Sequence, residues 1–438
     1  MSRGGGAIGG GEPDLIVVGA GAAGLAASKT ARSLGLTVTV LEAKRRIGGR
    51  AHTDAETVGV PWDCGAHWLH DAERNPFTRI ADALGFAYHR LPAPVRLRRA
   101  ADGGGWADAF LEAEVQDYYA RAFAAVERAG ESGLDVAAAE VIPPHPRLRA
   151  MFDSWFAALG GAEPERTSTL DHARYRNDGA NWRVEAGYGA LVARWGADVP
   201  VELGTAVGRI RWGGREGVVV EAPRGTVRAR AAIVTASTNV LAAGRIAFDP
   251  PLPAATRDAL AAVPVGAANK VALAFDRDVF DWPEGGYLRF EHRTLEAIRF
   301  EVRPFGRDLA IGYLGGRFAA ELEAAGERAM IAFALERLAE AFGAGIRRRL
   351  TGAAATGWCG DPDIGGGYSV ALPGRAHLRP VLAEPIGERL FLAGEACSLT
   401  AYGTVHGAYE SGVAAAQAAA RVALGGPPEV SGPAGATG

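Results

Sequence analysis

Short apolar runs alternate along this chain with longer stretches of helical period. Residues 14–19 form a β-branched run closed by glycine, the pattern of a strand buried on both faces. Residues 22–34 have helical composition, contain no proline and stop at Gly35, and residues 37–41 predict a second strand. Further strands are expected at 218–220, 232–235, 271–275, 288–290, 309–314 and 390–393. Further helices are expected at 109–129, 147–159, 318–342 and 405–424. Strands leading into helices near both ends predict an α/β fold. Within the run Asn269 to Phe275, a period of two places Lys270, Ala272 and Ala274 on one face. Val271, Leu273 and Phe275 take the other.

The first strand and helix are joined by G-x-G-x-x-G, as Gly19, Gly21 and Gly24. Gly19 permits a tight turn, Gly21 lets backbone approach a pyrophosphate, and Gly24 brings helix against strand. The helix N-terminus supplies N–H groups and a favourable dipole for the anion. Glu42 falls at the tip of the second strand, where a carboxylate accepts from ribose hydroxyls and repels a 2′-phosphate. Arg45 and Arg46, followed by Ile47-Gly48-Gly49-Arg50, add flexible backbone donors and guanidinium groups, with solvated surface as the plainer reading of the first two. Near the other end, strand 390–393 meets Gly394-Glu395, and the helix from Val405 again presents donors to an electron-rich group. Both ends therefore point at one dinucleotide.

Residues 14–53 resemble the N-terminus of the flavin-containing amine oxidases, which include monoamine oxidases, polyamine oxidases and flavin-dependent histone demethylases. The likeness continues at Asp63-Cys-Gly65-Ala66-His67-Trp68-Leu69-His70, at 269–280, at 358–374 and at 391–412. The resemblance implies an FAD-binding Rossmann-like (GR2-type) domain with an interleaved α+β substrate-binding domain. The FAD part is expected at 12–80, 196–262 and 352–425, and the substrate part at 81–195 and 263–351. Residues 1–11 and 426–438 are expected to be flexible tails.

By the same resemblance Glu42 binds the adenosine ribose, and Lys44, Gly49 and Arg50 lie near ribose and phosphates. Ala66, His67, Trp68 and Trp358 line the flavin, and Val207 contacts the adenine through its backbone. Glu395 beside Gly394 approaches the ribityl–pyrophosphate region, and Thr404 and Val405 offer N–H groups to the pyrimidine end. Lys270 bonds a water beside flavin N5, Tyr368 supplies an aromatic wall, and His70 stands near the substrate amine. Gly367 occupies the place where monoamine oxidases carry the cysteine bonded to flavin, so non-covalent FAD is implied. Thr404 replaces the second cage aromatic, which turns the expected substrate toward polyamine-like amines. The implied reaction passes a hydride from the carbon bearing the amine to flavin N5; O2 reoxidises the flavin to give H2O2, and the imine hydrolyses to aldehyde and amine. Deprotonating such an amine at neutral pH costs about 4 kcal/mol, from roughly three pKa units. An apolar, aromatic pocket lowers that cost.

Composition narrows the alternatives. A net charge of −3 and an apolar fraction of 48% describe a globular protein with no basic patch for nucleic acid. Only Lys29, Lys44 and Lys270 are lysines among 47 cationic residues, so position 270 stands out. Cys64, Cys359 and Cys397 offer neither a disulfide framework nor metal-ligand spacing, and a reducing cytoplasm is the expected location. No apolar run is long enough for a membrane helix. Arg347, Arg348 and Arg349 are expected to cap a helix C-terminus, and His406 to be structural. Two other functions share the N-terminal motifs: an FAD-dependent desaturase or dehydrogenase of a non-amine substrate, and a non-catalytic flavin-bearing partner protein.

Overall fold

The computed structural model describes residues 12–90, 92–99, 105–214, 217–283 and 285–425. The expected tails, 1–11 and 426–438, lie outside the described residues.

A five-stranded parallel sheet runs in the order Leu390–Leu392, Ala231–Val234, Leu15–Val18, Val38–Leu41, Val201–Glu202. Leu15 pairs with Ala231 on one side and Val38 on the other. Strand Leu15–Val18 is apolar throughout because both of its faces are covered. Leu15 and Val17 turn to helices Ala22–Ser33 and Val405–Ala423, while Ile16 and Val18 turn to a second, four-stranded sheet. The two helices pack closely through small residues: a Cβ on Gly412 would stand 2.1 Å from the Ala23 carbonyl oxygen.

The second large unit is a six-stranded sheet ordered Leu350–Ala355, Ala268–Phe275, Leu309–Gly315, Arg299–Val302, Gly286–Phe290, Val95–Arg98. Val271, Leu273 and Phe275 pack on the core under helix Glu327–Phe342, and Ala272 and Ala274 face Trp62 and Trp358. Helices Ala109–Glu131 and Arg149–Gly160 build an aromatic cluster with Phe152 and Phe156.

Two local expectations fail for the same reason. The single helix expected at 318–342 is two, Gly316–Ala324 and Glu327–Phe342, because Gly326 takes φ +97° between them. Arg347, Arg348 and Arg349 do not cap the second helix. They lie beyond Gly343 (φ +89°) in a 3-10 turn, where Arg347 pairs with Glu336 and Arg349 with Asp276. Among the described residues no helix is long and apolar enough to cross a membrane.

Candidate active site

One cavity of about 1360 Å³ runs between the two sheets and collects residues from both ends of the chain. A single small-molecule site commonly takes roughly 300–1,000 Å³, so a dinucleotide and a substrate can share this space. Gly19, Gly21, Glu42, Lys44, Gly49, Arg50, Ala66, His67, Trp68, His70, Val207, Lys270, Trp358, Tyr368, Gly394, Glu395, Thr404 and Val405 all line it. Gly24 does not. Its Cβ would stand 1.9 Å from the Gly19 carbonyl oxygen, so its place is the helix–strand contact behind the turn.

At the dinucleotide end the backbone is left open and the cations are occupied. Gly19 takes φ +102°, and Gly21 is the extended N-cap of the first helix, with no side chain over its N–H groups. Gly49 crosses close by: a Cβ there would lie 3.2 Å from Gly21 Cα. The Glu42 carboxylate accepts from Ala20 N (2.6 Å) and Lys44 N (2.8 Å), which fixes it at the strand tip facing the cavity. Lys44 lines the cavity with its ammonium committed to carboxylates. Its ammonium pairs with Asp361 at 2.6 Å and lies 3.6 Å from Asp363. Arg46 donates to Gly49 O, and Arg45 is exposed. Arg50 donates to Gly367 O (2.6 Å) and to Glu395 (2.8 Å). The open N–H groups of the Gly21 turn and the helix dipole face the cavity beside these cations. The open turn, the Glu42 carboxylate at the strand tip and the cavity's volume fit FAD.

Glu395 is a junction. Besides Arg50 it accepts from Ser369 Oγ (2.7 Å) and Gly403 N (2.7 Å). Burial raises its pKa, but Arg50, Ser369 and Gly403 together hold it below the ordinary value. Ser369 continues the chain to Arg379, whose guanidinium forks onto buried Asp171 at 2.7 and 2.6 Å. Thr404 accepts from Gly407 N and so caps the C-terminal helix, whose first N–H groups face the cavity. His406, buried in the first turn of that helix, has its Nδ1 3.4 Å from Asn75 Nδ2.

Lys270 is held by the turn that precedes Ala66. Its ammonium donates to the carbonyls of Asp63 (2.9 Å) and Gly65 (2.6 Å), while Trp358 Nε1 donates to Cys64 O between them (3.0 Å). One of its three N–H donors remains for the cavity. Rings of Tyr313 and Trp68 stand 5.2 and 5.8 Å from the nitrogen. Burial pulls Lys270 down to about 8, against the pull of Asp63, Cys64 and Glu301. His70 Nδ1 lies 2.5 Å from Asn181 Oδ1, and burial keeps the ring neutral. An amide oxygen accepts, so Nδ1 carries the proton and Nε2 is an acceptor. Tyr368 faces the cavity between Gly161 and Gly403.

His67 plays a different part from the flavin contact alone. It is buried between two carboxylates, with Nδ1 3.0 Å from Asp63 Oδ2 and Nε2 3.1 Å from Glu301 Oε2, the latter off the axis of a hydrogen bond. Burial opposes its protonation, but Glu301 and Asp63 raise it. Glu301 also accepts from Arg183 and from Tyr313 (3.0 Å). Burial disfavours its charge, yet His67 and Arg183 hold its pKa at about 2. Sequence reasoning missed Asp63, Arg183, Glu301 and Tyr313 as a unit. Alternation marks which face each occupies, but only the strand register brings them together.

Comparisons with known proteins identify the family. Residues 91–420 match the family model described as flavin containing amine oxidoreductase, and residues 17–84 that of an NAD(P)-binding Rossmann-like domain. The chain is 29% identical to polyamine oxidase 4 of Oryza sativa subsp. japonica, over 92% of this chain and 88% of that protein. It is 26% identical to lysine-specific histone demethylase 2 of Homo sapiens, over 91% of this chain and 52% of that one. Its fold matches cyclohexylamine oxidase from Brevibacterium oxydans with a TM-score of 0.77 and 23% identity, covering 94% and 99% of the two chains. With two glycine-rich ends closing on one cavity and a family match across most of its length, this chain belongs to the flavin-containing amine oxidoreductases and takes FAD as cofactor.

Proposed function

We propose that this protein oxidises an amine at the carbon bearing the nitrogen, with non-covalently held FAD and dioxygen as acceptor. FAD held here would supply the two-electron acceptor, taking up one hydride that O2 then removes, so amine, O2 and water give carbonyl compound, released amine or ammonia, and H2O2. The observation that carries this reading is the buried Lys270 ammonium in the wall of the same cavity that both glycine-rich ends enter.

The chain's own groups prepare the amine. Trp68, Tyr313 and Tyr368 exclude water and present ring faces, which lowers the cost of having the amine uncharged. His70 Nε2 accepts an N–H and orients the nitrogen. The third N–H of Lys270 is a proton donor at the cavity wall, on the side where the amine carbon is oxidised. Gly367, ahead of Tyr368, offers no side chain for a covalent link. A second reading, a polyamine substrate, follows from the kinship, and exposed Glu127 and Glu131 at the cavity rim are the acids for its cationic tail.

Anaerobic addition of amines to the yellow protein tests the proposal. At least one of hexylamine, phenethylamine, 6-aminohexanoate, phenylalanine or spermine is expected to bleach the flavin, with peroxide on readmission of air. Lys270→Met should slow bleaching at least tenfold. Unchanged bleaching in that variant, or none with any amine, would overturn the reading.

A further inference from the structure

Four cavity-facing side chains stand in one row across the six-stranded sheet. Lys270 pairs in register with Tyr313, and Tyr313 with Arg299. Continuing the pairing of Leu288 with Phe300 by one step sets Arg289 opposite Arg299. Directly paired residues project from the same face. At about 4.8 Å per strand, Arg299 stands roughly 10 Å from Lys270 along this row. Neighbouring Leu288, Phe300, Leu314 and Val271 turn to the opposite, helix-covered core.

The far end of the row holds two cations with no anion. Arg289 and Arg299 line the cavity and lie on the Trp155 ring, with guanidinium centres 4.3 and 4.6 Å from its centroid. Among the described residues neither meets a carboxylate or a hydrogen-bond acceptor, and Arg289 Nε and Trp155 Nε1 are buried without a partner. The titratable neighbours are phenols. Burial raises Tyr119 to about 12 and raises Tyr287 and Tyr313 as well, so none supplies negative charge at neutral pH. Burial, then Arg289, lowers Arg299 to about 9, which leaves it charged. The third guanidinium on this wall, Arg183, is already neutralised by Glu301. The acids Glu127 and Glu131 stand away on the exposed rim.

Charges withdrawn from water are ordinarily paired, and a guanidinium fork matches a carboxylate. We infer that Arg289 and Arg299 bind a carboxylate carried by the amine substrate, so that amino-carboxylates with a chain of several carbons between amine and acid are preferred over neutral amines and polycations. This rests on the amine-oxidase reading of the same site. The amine end lies among His70, Tyr368 and Lys270, the chain of the substrate passes Tyr313 and Trp155, and the carboxylate accepts from the two guanidinium groups. The carboxylate takes no part in the oxidation, whose bonds change only at the C–H and N–H of the amine end. A polycation would bring further positive charge against this wall and neutralise nothing.

The test pairs substrates that differ only in the acid: 6-aminohexanoate with hexylamine, and 8-aminooctanoate with octylamine, with spermine as the polycation. In at least one pair kcat/KM is expected to be tenfold or more higher for the amino-carboxylate, and that ratio should fall at least tenfold in Arg299→Gln and Arg289→Gln. Arg299→Lys should restore part of it. Independently of turnover, calorimetry on the oxidised holoenzyme should show hexanoate or benzoate binding that weakens at least tenfold in Arg299→Gln. Neutral amines or spermine outrunning both amino-carboxylates, or carboxylate binding indifferent to the two arginines, would overturn the inference. If no amine bleaches the flavin, the amine-oxidase reading falls, and the calorimetry still decides whether the far wall takes a carboxylate. If neutral amines or spermine bleach it and amino-carboxylates do not, only the present inference falls.

Discussion

The two ends of the cavity use positive charge in opposite ways. At the dinucleotide end Lys44, Arg46 and Arg50 are each engaged by a protein acceptor: Asp361, Gly49 O, and Glu395 with Gly367 O. At the substrate end Arg289 and Arg299 rest on an aromatic ring and, among the described residues, meet no acceptor. A cofactor that stays bound can be recognised by fixed backbone donors, and the charged side chains then serve to tie distant loops together. A ligand that comes and goes must find its counter-charge unspent.

Breaking the backbone end should have the largest effect. Gly24→Val would drive side-chain carbon into the Gly19 carbonyl, which a Cβ already meets at 1.9 Å, and no neighbouring flexible group can yield. A cost above about 3 kcal/mol is expected, together with protein purified without its yellow colour, read as the 450 to 280 nm absorbance ratio. Retained flavin would show that the turn is not the anion site.

Glu301→Gln strikes the buried network between the two ends. Removing one partner of a buried pair costs about 3–5 kcal/mol, because Arg183 and His67 lose their shared anion. The sign of the pH dependence follows from the depressed carboxyl. Its stabilisation is complete above the ordinary value of 4.5 and is lost as pH falls toward 2, about 3 kcal/mol in all. The gap in Tm between native protein and variant should therefore widen as pH falls from 7 toward 5, where His67, raised by Glu301, takes up its proton, and narrow below about 4.5. A gap that keeps widening below pH 4.5 would place the charge elsewhere.

The smallest change sharpens the comparison most. Lys44→Gln removes a partly exposed pair worth about 0.2–1 kcal/mol. FAD affinity, measured by reconstitution of the apoprotein, should weaken less than tenfold. A larger loss would mean that the ammonium reaches the phosphates after all.

Much of this was legible in the chain itself. The turn Gly19–Gly21–Gly24, the acid at Glu42 and the C-terminal Gly394-Glu395 could be read because each depends on local chemistry: a φ angle, a helix N-terminus, a fixed spacing. Lys270 stood out because it is one of three lysines. The break at Gly326 was missed because helical period continues across it, and one glycine of 60 carries no mark of its φ.

The partners of the charged groups could not be read at all. Nothing in the order of residues says that Lys44 meets Asp361, that Arg50 meets Glu395, or that His67 lies between Asp63 and Glu301. The order of residues alone sufficed for most of the elements and for the dinucleotide turn, since these rest on neighbours within a few residues. Which cations are neutralised and which remain for the substrate followed from the fold, because strand register brings Lys270, Tyr313 and Arg299 into one row and, among the described residues, sets no acid against the last. Charge pairing is a property of contacts in space, and a one-dimensional pattern records the charges without recording the pairs.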